Sequence, residues 1–121
     1  MNKYCVNQWE KNKENLRKAF ENIDNYFDFD YQEFAQLVIK NIFPDWEGHS
    51  VNVHYWGDSY FGEVIFFIHS FYDGHCYLST LSYGSCTVCD TLQRAMGDVN
   101  DLMSVALHLI QGMRKPFDIE N

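Results

Sequence analysis

Five consecutive apolar residues, Val64-Ile65-Phe66-Phe67-Ile68, constrain the fold more than any other stretch of this chain. The run is far short of the roughly 20 residues of a membrane span and has the length of a strand. Because it is apolar on both faces, it reads as a central strand covered twice, within a segment from Glu63 to Ser70. Its neighbours keep a period of two. Val51, Val53 and Tyr55 alternate with Asn52, His54 and Trp56, and Cys76 to Tyr83 makes a third strand. Trp56-Gly57-Asp58-Ser59-Tyr60 reads as the first turn, and Asp73-Gly74 is the hairpin signal for the second.

On both sides of this block the apolar spacing becomes helical. Trp9, Leu16, Phe20, Ile23 and Phe27 step by three, four or seven, which predicts a helix over 8–26. Asp30 and Glu33 form a capping box for a second helix, which Pro44 ends. Gly84-Ser85 stops the third strand, and a helix is expected from Cys86 or Thr87 to Met96, with Thr87 and Asp90 as its capping box. Val99, Leu102, Met103, Ala106, Leu109, Ile110 and Met113 share one face of a last helix, capped by Asp98 or Asn100 and closed by Gly112 and Pro116. Grouped strands between helices imply an α+β fold: a three-stranded antiparallel sheet flanked by two N-terminal and two C-terminal helices. A chain of 121 residues has room for one such domain, 1–121.

The charge is unevenly distributed. The net charge is −8, yet residues 19–93 hold eleven acids against the single base Lys40. Such a surface repels nucleic acid and anionic membrane, so a charge-selected partner is basic. A solvated acidic surface kept for solubility is the plain alternative. Aromatic residues make up 17% of the chain. Trp46, Trp56, Tyr55, Tyr60, Phe61, Phe71 and Tyr72 fall around the expected turns, beside Asp45, Glu47, Asp58 and Asp73. There they either form a binding surface or close the ends of the sheet.

Four cysteines, Cys5, Cys76, Cys86 and Cys89, follow a polar N-terminus with no signal-peptide pattern, which suggests reduced thiols in a cytoplasmic setting. Cys86 and Cys89 form a C-x-x-C at a strand-to-helix junction, where a helix N-terminus favours a thiolate. Antiparallel strands before it, Asp90 directly after it and the absence of a suitably placed proline weigh against redox catalysis. For zinc the pair is half a site, and no second pair has ligand spacing. Packing of both cysteines in the core explains the motif without chemistry. A His-Asp pair is the one acid–base candidate, with His54, His69 and His75 near Asp58 and Asp73. No nucleophile elbow, phosphate loop, metalloprotease or dinucleotide pattern is present, and the chain is read as non-catalytic.

Tyr83-Gly84-Ser85-Cys86-x-x-Cys89-Asp90-x-Leu92-Gln93, with Asp101-Leu102-Met103 and Leu107-His108-Leu109 further on, resembles a group of small uncharacterised proteins from bacteria and their phages. The resemblance covers residues 64–111 and implies a phage or prophage setting, with no activity or site residue to carry over. By analogy of charge and size, small acidic phage proteins block host proteins, anti-CRISPR inhibitors among them, by presenting carboxylates where phosphates bind.

The expectation is a non-catalytic, acidic protein-binding module. Its partner would be a basic, nucleic-acid-handling host defence protein such as a CRISPR nuclease, in the host cytoplasm. The partner-binding residues are Glu21, Asp24, Asp28, Asp30, Glu33, Asp45, Trp46, Glu47, Trp56 and Asp58, with no cofactor. A zinc or thiol-redox protein built on Cys86 and Cys89 is the second reading. A structural subunit, or self-association as a homodimer, is the third.

Overall fold

The structure, a computed structural model, describes residues 2–23, 29–46, 48–72, 74–85 and 90–115. Helix α1 spans Lys3–Glu21, α2 Tyr31–Ile42, α3 Thr91–Ala95 and α4 Val99–Gln111; strands β1 (Ser50–Gly57), β2 (Phe61–His69) and β3 (Cys76–Gly84) form one antiparallel sheet in the order β1-β2-β3. The fold is the expected α+β arrangement.

Helix α1 begins five residues earlier than its apolar stripe predicts. Asn2 caps it, its side-chain oxygen accepting from the Cys5 amide at 2.8 Å. Cys5, Trp9, Asn12, Leu16 and Phe20 are buried along one face. Asn12 breaks the apolar pattern but not the burial, because its amide donates to the Ile42 carbonyl at 3.0 Å. The helix ends at Glu21 rather than residue 26, and residues 24–28 lie outside the described residues. Helix α2 follows the sequence reading closely. Asp30 accepts from the Glu33 amide at 2.9 Å, and Phe34 stacks on Phe20 of α1 at 5.8 Å.

Register decides which face of the sheet is covered. Val51 pairs with Ile68 and Val53 with Phe66, while Tyr77, Ser79 and Leu81 of β3 lie opposite Ile68, Phe66 and Val64. These side chains are buried or half-buried, and the helices pack on this face: Ser79 donates to the Leu109 carbonyl of α4 at 2.6 Å. The other face carries Asn52, His54, Ile65, Phe67, Leu78 and Thr80, of which Phe67 is 43% exposed. The expectation that β2 is covered twice is therefore corrected: among the described residues the helices cover one face. Leu78 also exchanges two backbone hydrogen bonds with Arg114, at 2.8 and 2.9 Å, which extends β3's edge by one bridge.

Helix α3 is shorter than expected. Asp90 is its N-cap, accepting from the Gln93 amide at 3.0 Å, so the helix starts at Thr91 rather than at Cys86 or Thr87. Cys86, Thr87 and Cys89 lie outside the described residues, as do Asp73 and Pro116. Helix α4 is capped by Asp98, which accepts from the amides of Asn100 and Asp101, and Gly112 closes it. No described helix is long and apolar enough to cross a membrane.

Candidate functional site: a tyrosine-lined cleft beside a fixed hairpin tip

The turn between β1 and β2 is held by Asp58. One oxygen of its carboxylate accepts from the amides of Tyr60 and Phe61, at 2.8 and 3.0 Å. Those two bonds hold the Asp58 carboxyl below its ordinary pKa. Two further ties come from β3 and the residue after it. The Tyr83 hydroxyl donates to the Asp58 carbonyl at 2.6 Å, and the Ser85 amide to the Tyr60 carbonyl at 2.7 Å. Tyr83 lies close over Gly57 and Gly62, where a side chain would meet its ring and hydroxyl. The tip is therefore cross-braced, yet it presents Trp56, Tyr60 and Phe61 to solvent at 69%, 70% and 68% exposure.

Beside this tip lies a cleft of about 580 Å³. Its wall is a run of tyrosines, Tyr31 from α2, Tyr55 from β1 and Tyr83 from β3, with Phe29, Leu92 and Met96 completing the apolar lining. Tyr31 and Tyr55 meet at 76° with centroids 6.3 Å apart, and Tyr55 and Tyr83 at 82° and 5.4 Å. The Tyr31 hydroxyl donates to the Ser82 carbonyl at 3.0 Å and accepts from the Leu92 amide at 3.3 Å. Burial pushes the Tyr31 phenol far above its ordinary pKa, and the Asp90 carboxylate pushes the same way. Tyr55 is raised too, first by burial and then by Asp30 and Asp90.

Two carboxylates line the cleft. Asp30 is exposed, whereas Asp90 is buried, with its oxygens accepting from the amides of Gly84 (2.9 Å) and Gln93 (3.0 Å). Both amides belong to the distinctive Tyr83–Gln93 stretch of the sequence. Five described residues of that stretch, Tyr83, Gly84, Asp90, Leu92 and Gln93, line the cleft.

The structure splits the residues expected to bind a partner. Asp30 and Asp58 sit at this end of the molecule with Trp56, and Glu33 is exposed in the first turn of α2. Glu21 is exposed at the last residue of α1. Asp45 is exposed at the opposite end of the sheet, beside Trp46. Trp46 is a correction: at 2% exposure it is a core residue, stacked on Phe43 (4.0 Å) and Tyr77 (5.4 Å), its indole N–H donating to the Tyr4 hydroxyl. Tyr77, which Trp46 touches, and Gly84, which lines the cleft, are seven residues apart on β3, roughly 23 Å at strand rise. Asp24, Asp28, Glu47, Cys86 and Cys89 lie outside the described residues.

Among the described residues, no three His, Cys, Asp or Glu side chains gather as a metal site. The histidines named as acid–base candidates are apart from the cleft; His69 packs its ring on Phe71 at 4.3 Å. Sequence reading gave Tyr31 and Tyr83 no functional part, and read Asp90 as a capping residue and as a charge that disfavours a thiolate. The signal for Tyr83 was the Tyr-Gly preceding the C-x-x-C, which places an aromatic ring at the end of β3; Tyr31 carries no such local signal. Comparison with protein-family models, curated proteins and solved structures finds no match.

Proposed function

We propose that this chain is a non-catalytic protein-binding module that engages its partner through the hairpin tip and the adjoining cleft. The observation that carries the reading is the braced tip: Trp56, Tyr60 and Phe61 are exposed, yet the turn beneath them is fixed by Asp58 and Tyr83. Large aromatic side chains on a turn whose backbone is already fixed add no backbone ordering cost on binding, which favours an affinity-bearing anchor. Asp58 lies in the turn that carries these aromatics and Asp30 lines the adjoining cleft, so the binding end is acidic as well as aromatic.

The charge selects the partner. A chain of net charge −8 attracts basic surfaces and speeds encounter with them. A nucleic-acid-handling protein offers such a surface. The resemblance of residues 64–111 to phage proteins supports an inhibitor of a host defence protein, a CRISPR nuclease being the concrete case. In that role the module works by occupying a phosphate-binding surface.

The test is a pull-down from host lysate with stepwise salt elution, followed by affinity measurement with the purified partner. A basic nucleic-acid-binding partner is expected, with binding that weakens as salt rises. Trp56→Ala and Phe61→Ala should each weaken it about tenfold or more, as hot-spot aromatics do. Salt-independent binding, or binding unaffected by both substitutions, would overturn the reading.

A further inference from the structure

We propose that the tyrosine-lined cleft is a receptor for a cationic nitrogen group, the head of an arginine or lysine side chain on the protein partner. The inference deepens the function proposed above and takes from it only that the partner is a protein.

Three observations point to this ligand chemistry. The first is the wall. Tyr31, Tyr55 and Tyr83 follow one another at 76° and 82°, so the aromatic surface is folded rather than flat. A group seated in such a fold touches more than one π face, and cations are held by π faces through the ring quadrupole. The second is rigidity. The hydroxyls of Tyr31 and Tyr83 are both tied to backbone carbonyls, of Ser82 and Asp58, so these rings are oriented before any ligand arrives. A preformed site spends less of its binding energy on ordering side chains.

The third is charge. Asp90 is 4% exposed and lines the cleft, and its oxygens accept backbone amides from Gly84 and Gln93. Among the described residues no basic side chain lies within ion-pair distance of it; the ion pairs they form, Lys13–Glu10 and Arg17–Glu14, are on α1. A buried carboxylate without a counter-charge favours a cation beside it. Asp30 adds a second carboxylate in the same lining. Both carboxylates accept backbone amides, Asp30 from Glu33 and Asp90 from Gly84 and Gln93, but among the described residues neither has an ion-pair partner, so the pair repels an anionic ligand and favours a cation over a neutral one. The volume, about 580 Å³, is within the range of small-ligand sites, about 300–1,000 Å³.

The experiment uses the full chain, isotope-labelled, titrated with choline, with N-acetylarginine amide and with 3,3-dimethylbutan-1-ol, the neutral isostere of choline. Saturable shifts of the Gly84, Leu92 and Gln93 amides are expected with both cations. Binding of the neutral isostere should be about tenfold weaker or more. Tyr55→Ala should lose about tenfold in cation affinity, whereas Tyr55→Phe, which keeps the ring, should bind normally. Tyr55 is 53% exposed, so its truncation leaves the core intact, and circular dichroism checks this. No saturable shift, equal binding of the neutral isostere, or cation binding indifferent to Tyr55→Ala would each overturn the proposal. Partner capture separates the two readings. Capture that needs Trp56 but not Tyr55 sinks the cation receptor and leaves the protein-binding function standing. Tyr55-dependent choline binding without any captured partner does the reverse.

Discussion

The ring of Tyr83 lies over Gly62, and its hydroxyl reaches past it to the carbonyl of Asp58 at 2.6 Å. Strand β3 thereby fixes a turn that belongs to β1 and β2. A Cβ at position 62 would stand 2.3 Å from the Trp56 carbonyl oxygen and 2.8 Å from the Tyr83 ring. The first contact is with backbone, which has little room to move. Gly62→Ala is therefore expected to destabilise the fold by about 1–3 kcal/mol, as overpacking does. Tyr83→Phe keeps the packing and loses one hydrogen bond, about 0.5–1.5 kcal/mol. Urea unfolding of both variants checks the order; a Gly62→Ala protein as stable as the parent would contradict the close approach.

The two tryptophans expected at a binding surface should behave oppositely. Trp46 is buried on Phe43 and Tyr77, so Trp46→Ala should cost about 3–5 kcal/mol. Trp56 is 69% exposed, and Trp56→Ala should change stability by no more than about 0.5 kcal/mol. Acrylamide quenching gives an independent check: Trp56→Phe should remove most of the quenchable emission, because Trp9 and Trp46 are both buried.

How much of this was readable from the chain depends on the reach of each interaction. The Asp30 cap of α2 joins residues three apart, so local pattern revealed it. The start of α1 was missed because its stripe was read from Trp9, beyond the Asn2 cap and the buried Cys5, and Asn12 fills a buried position where the pattern called for an apolar residue. Its partner, the Ile42 carbonyl, is thirty residues away. Trp46 looked like a surface aromatic because it follows Pro44 and Asp45, and only the fold brings Tyr4 and Tyr77 to it. The apolar run in β2 gave the strand correctly and its environment wrongly, since periodicity cannot count the layers above a sheet. The cleft draws on α2, β1, β3 and α3, four segments whose proximity no spacing encodes.

Stability should fall at alkaline pH, and Tyr31 should account for part of the fall. Folding keeps its phenol protonated, chiefly through burial. As pH rises, the unfolded chain therefore releases this proton first, near the ordinary value of about 10. The stability linked to Tyr31 is complete at neutral pH and is lost as pH climbs past about 10 towards the raised folded value. Tyr4 and Tyr55 are raised by burial in the same direction. Tyr31→Phe should be less stable at neutral pH by about 1–2 kcal/mol, because the Ser82 carbonyl and Leu92 amide lose their partner. It should also show a shallower alkaline decline in urea midpoint. Identical declines for parent and variant would rule out this role.

Thiol labelling should separate Cys5 from Cys76. Cys5 is buried in α1 and burial raises its thiol, so little thiolate forms at neutral pH. Cys76 is exposed at the start of β3. Timed alkylation mapped by mass spectrometry should find Cys76 modified first, with Cys5 reacting only after denaturant is added. Comparable rates in the native state would place Cys5 outside the core.

Asp90 joins two elements with one carboxylate. One oxygen takes the Gly84 amide at the end of β3, and the other takes the Gln93 amide in the first turn of α3. A short helix of five residues has little stability of its own, so its position depends on this cap. Asp90→Ala removes both acceptors and leaves two amides to find others; a loss of about 1–3 kcal/mol is expected. Asp90→Asn retains one carbonyl oxygen and so can keep one of the two bonds. Its stability should fall between the parent and Asp90→Ala. Hydrogen exchange distinguishes the two functions of the group: in Asp90→Asn the amides of Gly84 and Gln93 should not both stay protected, because the amide nitrogen cannot accept. If Asp90→Ala unfolds at the same urea concentration as the parent, the carboxylate is not what ties α3 to the sheet.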